Sequence, residues 1–210
     1  MLPLFPLNTV LLPDGEIEVH VFEPRYTALL RHVEAKDGKF GVVFCEDMKN
    51  PEDTMTEYGC LAEIVETNPY QDGTTLVLAQ GTKRFKVKKV DNKAKPFLMA
   101  DVEYLKDEKD LDMDDPLIKS AEKYLSVYRH FLEDIDPDVV NENMCAPLRP
   151  EKSFCLIDQL LIPEEKRLQV LSINSCKERF ELAVKMLQVE VERLKFLMTE
   201  PEEESFAVIN

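Results

Sequence analysis

The sequence predicts an α+β protein, a β-rich half of closed or nearly closed antiparallel barrel type followed by a helical bundle. Three observations carry that prediction. Through about residue 105 the apolar residues alternate with period two or form short runs of strand length. From residue 116 they recur at helical spacing. Between these stretches, residues 107–115 hold six acids and a single base, Lys109, which marks a boundary. The expected division is a β-rich unit over 1–106, a solvated acidic linker over 107–115, a helical unit over 116–199 and a frayed tail over 200–210.

The elements follow in order. Residues 2–12 form an extended apolar arm interrupted by Pro3 and Pro6, and Pro13-Asp14-Gly15 is a turn. Glu16–Phe22 alternates, with Ile17, Val19 and Val21 on one face and Glu18 and His20 on the other. Glu23-Pro24 starts a helix, since proline in the first turn loses no hydrogen bond. Tyr26, Leu29, Leu30 and Val33 make its apolar stripe, and Gly38 lies past its end. Strands are expected over 40–45, 60–67, 74–80, 84–90 and 97–105, with turn chemistry at Asn68-Pro69 and Asp72-Gly73. Asp115-Pro116 begins a long helix carrying Leu117, Ala121, Tyr124, Leu125, Tyr128, Phe131 and Leu132, and Asp136-Pro137 breaks the pattern. Ser153 caps a short helix running to Leu161, and Pro163 opens another. Ser175-Cys-Lys-Glu178 is a capping box leading a last amphipathic helix with Cys176, Phe180, Ala183, Leu187, Val191, Leu194 and Met198 on one side.

The formal charge of −15 argues against general nucleic-acid binding, which needs cations to neutralise phosphates, and against adsorption to anionic membranes. No apolar run approaches the roughly 18 residues of a membrane-spanning helix. The N-terminus lacks the basic n-region of a signal peptide, and its prolines interrupt any helical h-region. Five cysteines, none in a Cys-x-x-Cys pair, read as reduced and mostly buried thiols of a cytoplasmic protein.

Three stretches, in order, resemble the substrate-binding N-terminal domain of Lon proteases: Pro3-Leu-Phe-Pro-Leu7 with Pro13-Asp-Gly15 and Phe22-Glu-Pro-Arg-Tyr26; Tyr58-Gly-Cys-Leu-Ala-Glu-Ile64; and Gly81-Thr-Lys-Arg-Phe-Lys-Val87. The resemblance is sharpest over residues 2–105 and continues through the helical half by order and pattern. It implies a PUA-like pseudobarrel joined to a helical bundle. It also implies a standalone, non-catalytic module that recognises unfolded or partly folded polypeptides, with a separate ATPase or protease as a further partner.

The modules that give Lon proteases their activity are not legible in these residues. No Gly-x-x-x-x-Gly-Lys-Ser/Thr phosphate loop occurs. Ser120-Ala-Glu-Lys123 matches a Ser-x-x-Lys pattern but lies on a plain amphipathic helix without companion motifs. Asp110-Leu-Asp-Met-Asp114 imitates a calcium loop, yet puts Asp115 where glycine belongs and Ala121 where a bidentate glutamate belongs. His20, His32 and His130 have no partner at ligand spacing. No cofactor, metal or catalytic residue is therefore expected.

Two features are candidate binding surfaces. The arm and helix start offer Phe5, Phe22, Arg25 and Tyr26 as the rim of an apolar groove able to take an extended segment by strand addition. Residues 83–95 hold seven bases and one acid, and alternation puts Arg84, Lys86 and Lys88 on one face of a strand with Phe85 and Val87 on the other. That strip either meets an acidic partner or is an idle solvated face. RNA binding by a PUA-like fold and an uncharacterised hydrolase stand as the alternative functions, with a structural adaptor as a third.

Overall fold

The computed structural model describes residues 1–135 and 147–199. The first half contains six strands: β1 (Leu2–Leu7), β2 (Glu16–Val21), β3 (Lys39–Cys45), β4 (Met55–Pro69), β5 (Thr75–Asp91) and β6 (Met99–Tyr104). α1 (Pro24–Glu34) lies between β2 and β3, and the single turn α2 (Pro51–Thr54) precedes β4. The second half is helical: α3 (Pro116–Ile135), α4 (Ser153–Asp158), α5 (Glu164–Ser172) and α6 (Cys176–Thr199), with a 3-10 turn at Pro150–Lys152. The expected helix break at Asp136-Pro137 and the tail from residue 200 lie outside the described residues.

The sheet runs β2-β5-β4-β3-β1-β6, and a β5–β6 pairing closes five of the strands into a ring. The ring is not wholly antiparallel. β1 runs parallel to β3, with Leu4 opposite Gly41 and Leu7 opposite Phe44, which corrects the all-antiparallel expectation. The physical reason is the connection: a turn, β2 and α1 separate the two strands, and a parallel pair requires such a crossover. β5 is one continuous strand where two were expected. Gly81 causes this, because a Cβ there would run into the Leu12 carbonyl oxygen. The glycine permits a close backbone approach inside a strand instead of ending it.

Three apolar clusters form the core. α1 buries Tyr26, Leu29, Leu30 and Val33, the stripe its spacing predicts, against β1, β2 and β3. Inside the ring, Phe85 is wholly buried with Leu4, Val43, Leu61 and Ala100. The helical half packs α3 against α6 through Ala121, Leu125, Tyr128, Phe180, Ala183 and Leu187. Met198, expected on the apolar side of α6, is exposed. Val10 and Leu12, from the loop after β1, enter the helical core and so belong to both halves. Glu164 in the first turn of α5 reinforces this by accepting Thr9 Oγ1 at 3.0 Å and the Val10 amide at 2.8 Å.

The acidic segment 107–115 is mostly exposed, as its composition implies, but it is anchored rather than free. Leu111 is buried, and Glu108 forms a bridge to Ser175. Asp110 accepts Ser175 Oγ at 2.5 Å, while that same Oγ accepts the Glu178 amide at 2.9 Å to cap α6. Ser153, by contrast, does not cap α4. It lies within the helix, wholly buried, and accepts Arg179 Nε at 2.9 Å. Cys45, Cys60 and Cys176 are free and buried, whereas Cys155 is disulfide-bonded, which corrects the all-thiol reading. Such a bond depends on distance in the fold, which cysteine spacing does not report.

Candidate functional site

The seven candidate binding residues do not form one surface. Arg84 is 3 % exposed and lies between the ring and the helical half. It donates to the Leu171 carbonyl at 2.7 Å, to Asp107 Oδ1 at 2.6 Å and to Asn174 Oδ1 at 3.2 Å. Its place on a cationic strip is therefore corrected. The face of β5 on which it lies is covered there by α5 and the following loop, so period-two alternation alone misassigned it to solvent. Lys86 pairs with Glu57 at 2.8 Å, and Lys88 pairs with Glu103. Each remaining lysine of the three is thus balanced by a carboxylate on a neighbouring strand.

The other four residues lie around the start of α1. Phe5, 4 % exposed, is stacked beneath Tyr26 with ring centroids 4.2 Å apart and planes within 13°. Phe5 is a floor of the site and not a contact surface. The Arg25 guanidinium lies over the other face of Tyr26, 4.5 Å from its centroid. Arg25 Nε donates to Glu23 at 2.9 Å and a terminal nitrogen donates to the Met48 carbonyl at 3.2 Å, which fixes the side chain. Burial pushes the Tyr26 hydroxyl up to about 12, partly offset by Arg25. Beside this stack opens a cleft of about 200 Å³, bounded by Tyr26, Arg25 and the segments around Lys49 and Phe97.

Phe22 is 65 % exposed at the end of β2. His20 lies 6.0 Å from its ring and 5.9 Å, edge-on, from Tyr70, itself 51 % exposed. His20 Nε2 is also within 2.8 Å of Thr74 Oγ1. The β4–β5 turn, held by Gly73 in a left-handed conformation, brings Tyr70 to this point. The sequence reading missed His20 and Tyr70, because their meeting depends on the β2–β5 register that sets His20 opposite Leu76. β2 pairs with β5 along one edge, and among the described residues no strand pairs with its other edge. An unpaired row of backbone donors and acceptors, ending in exposed aromatic rings, can accept an added strand.

Among the described residues no group of three His, Cys, Asp or Glu side chains could hold a metal ion.

A closed mixed ring with a helix across it, joined through a shared loop to a helical bundle, defines an α+β two-part fold. Solved structures share it. A Lon N-terminal domain protein from Xanthomonas campestris aligns over 95 % of this chain and 98 % of its own, with TM-score 0.66 and 24 % identity. The N-terminal domain of Mycobacterium avium complex Lon protease gives 0.64 and 13 % over 89 % and 97 %. The family model for the ATP-dependent protease La (LON) substrate-binding domain matches residues 1–189, and the chain belongs to that family. Among the relatives, Lon protease of Flavobacterium johnsoniae is 25 % identical over 92 % of this chain and 24 % of its own length. Lon protease of Parabacteroides distasonis is 32 % identical over 51 % and 14 %. The chain thus spans about a quarter of the length of the first of these and less of the second.

Proposed function

We propose that this chain is a non-catalytic recognition module for unfolded or partly folded polypeptides, acting in the cytoplasm, with a separate ATPase or protease as a further partner. The observation that carries the reading is the unpaired edge of β2, which ends in the exposed His20–Phe22–Tyr70 cluster. Strand addition supplies backbone hydrogen bonds that any sequence can make, and the aromatic cluster supplies apolar burial. Kinship with substrate-binding domains supports the same reading. The free thiols of Cys45, Cys60 and Cys176 suit a reducing compartment, and the disulfide at Cys155 is the observation against one. Among the described residues no helix is long and apolar enough to cross a membrane.

The test titrates a permanently unfolded, reduced and alkylated model protein, and separately a single-stranded RNA, at low and high salt. Binding of the unfolded protein that survives high salt and falls in Phe22→Ser supports the reading, because apolar contact and strand addition are weakly screened. Binding of RNA alone, lost as salt rises, would replace it with the nucleic-acid reading.

A further inference from the structure

We propose that the cleft at the N-terminal end of α1 binds a carboxylate, with Tyr26, Arg25 and Lys95 as its receptors. The inference rests on the polypeptide-recognition reading for the source of that carboxylate, which is either the C-terminus of a bound chain or an acidic side chain within it.

Three observations converge. The Tyr26 hydroxyl is buried without any hydrogen-bond partner, although the whole residue is only 5 % exposed. A buried hydroxyl left unpaired is costly, and such groups call for an explanation at the site where they occur. Second, Tyr26 borders a cleft of about 200 Å³, room for the end of one side chain, whose wall includes Pro6 and Phe97. Third, the charges around that cleft are the reverse of the whole protein. Arg25, Lys49 and Lys95 stand against Glu52, whose carboxylate already accepts Asn92 Nδ2, in a chain of net charge −15. Neither lysine pairs with a carboxylate among the described residues, and Arg25 keeps Nη1 without a protein partner there. The helix end adds no free positive charge, because its N-cap residue Glu23 carries a carboxylate, held there by Arg25.

These facts select the ligand. A protonated phenol needs an acceptor, and burial keeps Tyr26 protonated throughout the physiological range. The unpaired Lys49 and Lys95 call for a negative charge. A carboxylate satisfies both. The apolar wall then accommodates the aliphatic part of the residue that bears it.

The experiment measures fluorescence anisotropy of the 210-residue chain with three labelled peptides of one apolar sequence. The first has a free C-terminus, the second is amidated, and the third is amidated with one internal glutamate. Protein-observed NMR with N-acetylglycine runs in parallel. Tyr26→Phe removes only the orphaned hydroxyl, so its thermal midpoint should equal or exceed that of the parent, which a structural role for the hydroxyl would not allow. The expected result is tighter binding of one or both carboxylate peptides over the amidated control. That advantage should fall about ten-fold in Tyr26→Phe, as for loss of a hydrogen bond to a charged group. Lys95→Ala should lower it as well. The first peptide winning identifies a chain terminus, and the third identifies an acidic side chain. Equal binding of all three peptides, unchanged in Tyr26→Phe, overturns the carboxylate site while leaving polypeptide recognition in place. No peptide binding, with N-acetylglycine shifts that vanish in Tyr26→Phe, supports the site and removes the polypeptide reading. No binding of any probe overturns the site.

Discussion

Arg84 and Arg179 converge on one atom: Asp107 Oδ1 accepts Arg84 at 2.6 Å and Arg179 at 3.0 Å. Both guanidiniums are buried and both lie against the Phe154 ring, at 5.3 Å and 4.2 Å. Arg84 belongs to β5 and Arg179 to α6, so this carboxylate joins the two halves. Asp107→Ala should cost roughly 2–3 kcal/mol, below the full penalty for an orphaned buried charge because water reaches the half-exposed Asp107 side chain. Urea denaturation monitored at both halves would read it. A cost under about 0.5 kcal/mol would mean that the carbonyls of Leu171 and Ile173 suffice for the two arginines.

Phe85→Asp should abolish cooperative folding, since it buries an unpaired carboxylate inside the ring at a cost of several kcal/mol. Val87→Asp should be milder, because Val87 is only half buried. Lys86→Glu loses an exposed pair with Glu57 and should stay within about 1 kcal/mol. Thermal melts of the three variants should fall in that order.

Gly59→Ala should destabilise by roughly 1–3 kcal/mol or more. A Cβ at Gly59 would lie 2.6 Å from Phe85 Cζ and would also strike the Val42 carbonyl oxygen. The double variant with Phe85→Leu should regain only part of the loss, because the carbonyl belongs to a paired strand and cannot turn away. Full recovery in calorimetry would show that the ring contact alone matters.

Asp110 carries a pH-dependent contribution. The Ser175 hydroxyl, followed by the Lys177 amide, donates to its carboxylate and holds it below the ordinary carboxylate range. A depressed value means that this stability is fully present above about pH 4 and is lost as pH falls through the folded value. Asp110→Asn should therefore cost at most a few tenths of a kcal/mol at pH 7, because water screens this exposed carboxylate, with the difference fading in acid. A difference that grows below pH 4 would contradict this.

Much of the fold can be read from local pattern, and the exceptions share a cause. The α1 stripe, the alternation of β2 and the Ser175 cap follow from neighbours within a few residues, and spacing reports them correctly. Arg84, Gly81 and the parallel β1–β3 pair depend on what lies opposite, which spacing does not encode. Arg84 looks like a surface base until α5 covers it, and Gly81 looks like a turn until Leu12 approaches. The candidate site divides in the same way. Phe22, Arg25 and Tyr26 are legible as a helix start, whereas His20 and Tyr70 join them only through strand register. Phe5 is apolar by sequence, and only the stacking shows that it is a floor.

Ring closure has a consequence for synthesis on the ribosome. β1 holds β3 along Leu4–Leu7 and meets β6 through Leu2 and Pro3, yet β6 emerges only after every other strand has been made. Until residue 104 is available, one flank of β1 lacks its β6 neighbour, and the cluster around Phe85 lacks Ala100. A chain stopped after residue 98 should therefore be cut by protease far faster than one extended past the ring, as pulse proteolysis of stalled nascent chains would reveal. In that interval the chain itself presents an extended, apolar, proline-containing strand of the kind it is proposed to bind.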